Sequence, residues 1–159
     1  MSRFGRLLRD LLVVAVIIAG FRYFQTRELP SGPAPSLVGT GLSGETVSLE
    51  RFRGEPVIVY FWASWCGVCR AMEGNVEGLA DVKVVRVAVA SGKADAVARA
   101  LDGARGETVV IDEDGTLASS WGVGAFPTLF WLDAEGQIRF REVGYTSSFG
   151  LWWRRALTF

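Results

Sequence analysis

The chain has 159 residues, with 17 Lys+Arg against 17 Asp+Glu, no His, two Cys and 50% apolar residues. That length fits one domain with an appendage, and the apolar half is enough for a core rather than a disordered chain. Without histidine there is no Ser-His-Asp triad, no Cys-His dyad and no His-ligated metal; two cysteines cannot complete a Cys₄ zinc site or hold an iron–sulfur cluster, and zero formal charge argues against a nucleic-acid partner.

Leu11 to Phe21 (LLVVAVIIAGF) is an unbroken apolar run, preceded by Arg3, Arg6 and Arg9. Widening it to Leu7–Phe24 takes in Arg9, Asp10 and Arg22. About 20 apolar residues span a bilayer, so Arg9 and Arg22 would have to snorkel to the interfaces. A cleaved signal segment is the second reading, although Ala19-Gly20-Phe21 lacks the small last residue of a cleavage site. A buried core helix is the third, against the lack of a polar face. The expectation is one N-terminal transmembrane helix within residues 1–24. The basic start stays cytoplasmic, and the rest lies on the periplasmic, extracytoplasmic side of the inner membrane. Residues 25–36 (QTRELPSGPAPS) read as a Pro-rich tether, and residues 37–159 as the globular domain.

Leu42–Leu49 reads as a turn and short strand, and Arg53–Pro56 as a turn. Val57–Trp62 (VIVYFW) has no polar alternation, as in a central strand buried on both faces. A helix is predicted from about Cys66 past Glu77, weakened by Gly74 and Gly78. Val82–Ala90 is a second buried strand, Lys93–Leu101 a helix, Thr108–Ile111 a strand and Leu117–Trp121 a helical turn or two. Thr128–Leu132 and Gln137–Val143 form a hairpin across Glu135-Gly136, and Ser147–Leu157 closes as a helix capped by Ser147 or Ser148. Strands alternating with helices, then a tight hairpin, predict an α/β fold with a mixed central sheet and helices on both faces.

Cys66 and Cys69 are the whole cysteine inventory, arranged as Cys-Gly-Val-Cys. At i, i+3 on a helix the two sulfurs can bond, but so small a loop restrains little of the unfolded chain. Cys66 falls where a buried strand gives way to a helix N-terminus, where free N–H groups and the helix dipole favour a thiolate. Cys69, one turn in, suits a resolving thiol. An inert structural pair, or a two-sulfur Cu(I) site, are the competing readings. Gly67 and Val68, between the cysteines, are the candidate redox-tuning positions. Pro127 opens a strand, and sequence alone makes its cis form uncommon, at about 5–6% of X–Pro bonds.

Val59–Cys69 (VYFWASWCGVC) resembles the active-site stretch of the thioredoxin superfamily. Phe126-Pro127-Thr128 is similar to its cis-proline loop, and Gly144 to the glycine near its last strand. The resemblance implies a thioredoxin-like fold, a cis Pro127 facing Cys66, and substrate binding by Trp65, Phe126 and Pro127, the Phe126 backbone pairing with an extended peptide. The short GETVSL strand, the anchor and the tether resemble the TlpA-like, membrane-tethered branch. WASWCGVCRAMEG, VAVASG and VGYTSSFGLWWR resemble ScsD-type protein disulfide oxidoreductases.

The chain also departs from the family pattern. Thioredoxins carry a buried Asp six residues before the first Cys, and Tyr60 stands there; a phenol, titrating near about 10, is a poor base at neutral pH. Glu73, one turn past Cys69, is a candidate substitute, read more simply as a solvated helix carboxylate. Thr128 stands where cytochrome c maturation reductases of this branch carry an acid. Phe61, Trp62, Phe130 and Trp131 read as core. Trp121, Trp152 and Trp153 read as packing for terminal helices, Arg70 as solvated or thiolate-stabilising, and Asp112–Gly115 as a turn.

Two functions follow as expectations. The first is an exported thiol–disulfide oxidoreductase that exchanges disulfides with protein clients. Cys66 is its nucleophile and Cys69 its resolver, with no cofactor beyond their redox-active disulfide and no metal. Gly67-Val68 adds neither charge nor a side-chain donor, which favours a reductant over an oxidant. The resemblance implies a DsbD-type transmembrane thiol reductase as electron donor. The second is a thioredoxin-fold Cu(I) carrier using the same two sulfurs.

Overall fold

The computed structural model describes residues 3–79, 82–101 and 108–158; the outer bounds expected for the anchor and the domain, Met1 and Phe159, lie outside them. Five α-helices are described, α1 (Arg3–Thr26), α2 (Gly67–Glu77), α3 (Ala94–Ala100), α4 (Thr116–Ser120) and α5 (Ser148–Thr158), with a 3₁₀ turn at Leu49–Phe52. The strands are β1 (Gly32–Pro33), β2 (Val38–Thr40), β3 (Thr46–Ser48), β4 (Val57–Trp62), β5 (Lys83–Val89), β6 (Thr108–Asp112), β7 (Thr128–Leu132) and β8 (Gln137–Val143). They form one sheet in the order β1-β8-β7-β4-β5-β6-β2-β3. β4, β5 and β6 are parallel, and β7, β8, β1, β2 and β3 are joined antiparallel.

All six residues of β4 are buried because successive side chains enter opposite cores. Ile58, Tyr60 and Trp62 pack with Cys69, Met72 and Val76 of α2, Val97 of α3 and Leu151 of α5. Val57, Val59 and Phe61 pack with Val85, Val87, Ala118, Trp121 and Phe130 on the other face. The expected mixed sheet with helices on both faces is therefore present.

The hairpin between β7 and β8 is built by Asp133. Its carboxylate accepts from the Glu135 and Gln137 backbone N–H groups (3.1 and 2.8 Å) and from Arg139 (2.6 Å). Burial pushes this carboxyl up, but the two N–H groups and Arg139 together outweigh it and hold Asp133 below its ordinary value. A lowered folded value stabilises the native state above the unfolded carboxylate range and is lost as pH falls through the folded value. Asp133→Asn is thus expected to lower stability by about 1–3 kcal/mol at pH 7 and to flatten the acid limb below about pH 4, as read by urea unfolding across pH.

Two N-terminal expectations are corrected. α1 is a single helix of 24 residues, yet among the described residues no helix is long and apolar enough to cross a membrane. Its unbroken apolar run, Leu11–Phe21, rises only about 16 Å at ~1.5 Å per residue, against roughly 30 Å of hydrocarbon. Nor is it a core helix: Leu7, Leu11, Val14, Ile18 and Phe21 are all exposed. Residues 25–36 do not form a free tether. Leu29 is buried, β1 pairs with β8, Arg141 donates to the Leu29 carbonyl (2.7 Å), and Trp121 donates to the Ser36 carbonyl (3.4 Å). Prolines suit such an edge strand as well as a tether, so composition alone did not separate the two.

Candidate active site

Cys66 is the N-cap of α2. Its sulfur accepts from the Cys69 backbone N–H at 3.1 Å, and its own carbonyl accepts from the Arg70 N–H. The helix begins here because β4 ends at Trp62 and a short turn, closed by the Cys66 N–H to the Ala63 carbonyl, swings the chain over the sheet end. Cys66 and Cys69 are joined in a disulfide with Cα atoms 5.3 Å apart. Cys66 keeps 9% of its surface exposed and Cys69 only 1%. This asymmetry places one sulfur within reach of a partner and shields the other.

The Phe126–Pro127 bond is cis, as the resemblance implied. The loop it shapes brings the Phe126 carbonyl oxygen 3.7 Å from Cys66 Sγ. Its far end is tied down by the Gly144 N–H, which donates to the Pro127 carbonyl (2.8 Å); Gly144 holds φ +88° there, where a side chain is disfavoured. Thr128 donates its hydroxyl to the Ala125 carbonyl (2.8 Å), closing the loop on itself.

Trp65 is 63% exposed beside Cys66. Its indole N–H donates to the Ala90 carbonyl (3.0 Å), and its ring meets Phe126 edge-on at 5.8 Å. Trp65, Phe126 and the exposed Gly67 and Val68 therefore frame Cys66 with apolar surface. Trp65→Ala is expected to cost about 0.5–1.5 kcal/mol of stability through the lost hydrogen bond. It should weaken reaction with a protein disulfide roughly tenfold while leaving reaction with a small aromatic disulfide unchanged, as separate kcat/KM measurements would show.

Behind the disulfide lies a charged group that the sequence reading did not single out. Arg86 on β5 is fully buried and pairs with Glu73 of α2 at 2.5 Å. Arg86 and Tyr60 are register partners on neighbouring strands, and the guanidinium lies 5.5 Å from the Tyr60 ring centroid. Glu73 is thus half-buried rather than fully solvated: burial raises its carboxyl above the ordinary range, Arg86 opposes this, and Glu77 adds to it. Burial also pushes the Tyr60 phenol up, so Tyr60 is no base. The signal for Arg86 was its place as a single arginine among the valines of VKVVRVAVA.

Other expectations resolve plainly. Arg70 is exposed at the rim of the cleft holding Cys66 and Glu73. Asp112 spends its carboxylate on the Leu117 and Ala118 N–H groups at the start of α4 (3.0 and 2.8 Å), so 112–115 is a turn. Phe61, Trp62, Phe130 and Trp131 are core. Trp121 is core as well, 4.9 Å from Phe130 and 5.5 Å from Phe61. Trp152 is exposed, whereas the half-exposed Trp153 meets Phe140 of β8 at 6.2 Å between ring centroids, so α5 docks through Trp153 together with the buried Leu151. Asn75 of α2, also missed, donates to the Thr146 carbonyl and accepts from Ser148, locking α2 against the start of α5.

The redoxin family profile matches residues 29–149. The chain belongs to the redoxin family. Among redoxin relatives, a thioredoxin-like protein of Haemophilus influenzae is 30% identical over 89% of this chain and 87% of its own length. The thiol:disulfide interchange protein DsbE of Pseudomonas fluorescens is 33% identical over 84% of this chain and 79% of its own. The redoxin fold is shared with a solved structure described as a DsbE-type thiol:disulfide interchange protein from Chlorobium tepidum. That structure aligns at TM-score 0.70 and 28% identity over 81% of this chain and 96% of its own.

Proposed function

We propose that this redoxin is a thiol–disulfide oxidoreductase in which Cys66 attacks and Cys69 resolves. The observation that carries it is the asymmetric pair at a helix N-terminus: a reachable Cys66 that accepts a backbone N–H, and a shielded Cys69 bonded to it. A thiolate formed at Cys66 is stabilised by that N–H and by the helix dipole. It attacks a client disulfide sulfur, and one client sulfur leaves as thiolate. Cys69 then attacks Cys66 Sγ, closing the enzyme disulfide and releasing the second client thiol. Trp65, Phe126 and cis Pro127 form the seat for the client, its extended backbone lying against the Phe126 carbonyl. Relatives carrying the names thiol:disulfide interchange protein DsbE and thiol-disulfide oxidoreductase ResA support the same chemistry.

The finer parts belong to the same proposal. Gly67-Val68 offers the Cys66 thiolate no side-chain charge or donor, which favours a reductant. The segments WASWCGVCRAMEG and VGYTSSFGLWWR support a place among ScsD-type proteins of the TlpA-like branch. The basic start and the exposed apolar side chains of α1 support attachment to a membrane without a span in α1 itself, and the exchange chemistry fits the extracytoplasmic side, where disulfides persist. There a reductant needs electrons carried across the bilayer, and a DsbD-type thiol reductase is the class of donor that supplies them.

Reduction of insulin by dithiothreitol tests the activity. The wild-type chain is expected to accelerate it by at least about tenfold at micromolar concentration, by relaying attack through a stabilised thiolate. No acceleration together with tight, stoichiometric Cu(I) binding would overturn the exchange reading in favour of a carrier.

A further inference from the structure

We propose that the outward face of α5 is a second lipid-contacting surface, which seats the domain on an anionic bilayer beside α1. The inference rests on the membrane attachment read from α1 above and adds to it a surface on the catalytic domain. A helix docked on a domain ordinarily turns its polar side to water, and α5 does the reverse. At ~100° per residue, the arc opposite the buried Leu151 holds Trp152, Ala156, Phe149, Trp153 and Leu157, every one apolar. Phe149, Trp152 and Leu157 are 71%, 59% and 60% exposed, and the rings of Phe149 and Trp152 stack at 6.0 Å. Trp153 leans back onto Phe140. Polar groups lie on the inner side instead: Arg154 pairs with the buried Glu142 of β8, and Thr158 donates its hydroxyl to the Arg154 carbonyl (2.8 Å).

Three features commit this face to lipid. The first is size. An 11-residue helix is about 16 Å long and about 10–12 Å wide. Its footprint is on the order of 200 Å², against roughly 800 Å² per partner in a standard protein interface. By itself the face is too small to hold a second copy or a partner protein, whereas a bilayer asks for no matching shape. The second is chemistry. Trp, Phe and Leu settle at the boundary between headgroups and acyl chains. α5 carries no acidic side chain and has the basic Arg155 in its last turn, so its charge complements anionic headgroups. The third is continuity with α1, since both helices border β8. Phe140, which meets Trp153, lines a hollow with Thr26 at the end of α1. Tyr145, three residues before α5, lines another with Ile17, Ile18 and Phe21 of α1. The apolar side chains of α1 and the outward face of α5 thus lie beside the same strand, where one bilayer surface can meet both. Two points of contact hold the domain in one orientation on the membrane.

The test uses the full-length chain and vesicles of equal parts phosphatidylcholine and phosphatidylglycerol. A variant carrying Phe149→Ser, Trp152→Ser and Leu157→Ser together changes only exposed side chains. It should therefore fold and reduce insulin in solution at the wild-type rate. It is expected to bind the vesicles about tenfold or more weakly than wild type. Brominated lipid should quench part of the wild-type tryptophan emission. Trp152→Phe, which keeps an apolar ring, should bind nearly as wild type does but lose part of that quenching. Equal vesicle binding by wild type and the triple variant would overturn the proposal and leave α1 as the attachment. If the triple variant does not fold, the quenching decides, and an unchanged quenched share in Trp152→Phe contradicts lipid contact at α5. Wild type that does not bind the vesicles at all would instead defeat the attachment reading itself. A wild-type dimer in lipid-free buffer that the triple variant breaks would overturn the proposal in favour of a second copy as the occupant.

Discussion

Cys69→Ser is expected to arrest the protein as a covalent adduct with its client, while Cys66→Ser forms no adduct at all. The difference follows from where α2 places each sulfur. Cys66 sits at the helix cap, 9% exposed and beside the Cys69 N–H, so it can attack without its partner. Cys69 is 1% exposed behind it, so it reaches only the sulfur already bonded to Cys66. Without Cys69 the mixed disulfide has no internal thiol to break it. Both variants should lose at least about a hundredfold in turnover, and the double variant no more than either alone, because the two sulfurs act as a unit. Non-reducing electrophoresis with mass spectrometry of the adduct checks this. Adducts through Cys69 in the Cys66→Ser variant would reverse the assignment.

Trp121→Ala is expected to cost about 3–5 kcal/mol, a third or more of the stability of many domains. Trp121 is fully buried between Phe61 and Phe130, with its indole N–H on the Ser36 carbonyl. Truncation removes a large apolar body from a core that also includes Leu29 and Leu37, so the N-terminal segment loses its seat at the same time. The urea midpoint should fall with little change in slope. The disulfide lies with the other core, across the sheet. The folded fraction should therefore keep its exchange rate, and a loss of activity beyond the loss of folded protein would show that the two faces are coupled.

The central part of the fold was legible because its signals are strong and local. VIVYFW has no polar alternation and proved to be a strand buried on both faces. The hairpin was marked by Glu135-Gly136, and the cap of α5 by Ser147, which accepts from the Gly150 N–H at 3.3 Å. The edges were not legible. β1 and β2 span two and three residues, too few for any period to register. Their place is set by partners far along the chain, β8 and β6. The same holds for the site. Cys66, Cys69 and Pro127 announce themselves by type and spacing. Arg86 does not, because its meaning comes from lying beside Tyr60 in the sheet and under Glu73 of a helix. Glu73 itself looks like any helix carboxylate until the buried guanidinium is placed beneath it. At α1 a composition that favours a membrane was read as a span, although the apolar run was only half as long as one requires.

The central claim is that Cys66 and Cys69 form a reversible, reducing dithiol–disulfide couple. Its most direct measurement is the redox equilibrium of the full chain against glutathione or dithiothreitol buffers, with the state of both cysteines read by alkylation and mass spectrometry. The account predicts a single two-electron transition at about −250 mV or lower. A midpoint at about −120 to −180 mV would contradict the reducing role and place the protein with oxidants or isomerases, and the absence of any reversible transition would contradict the exchange mechanism.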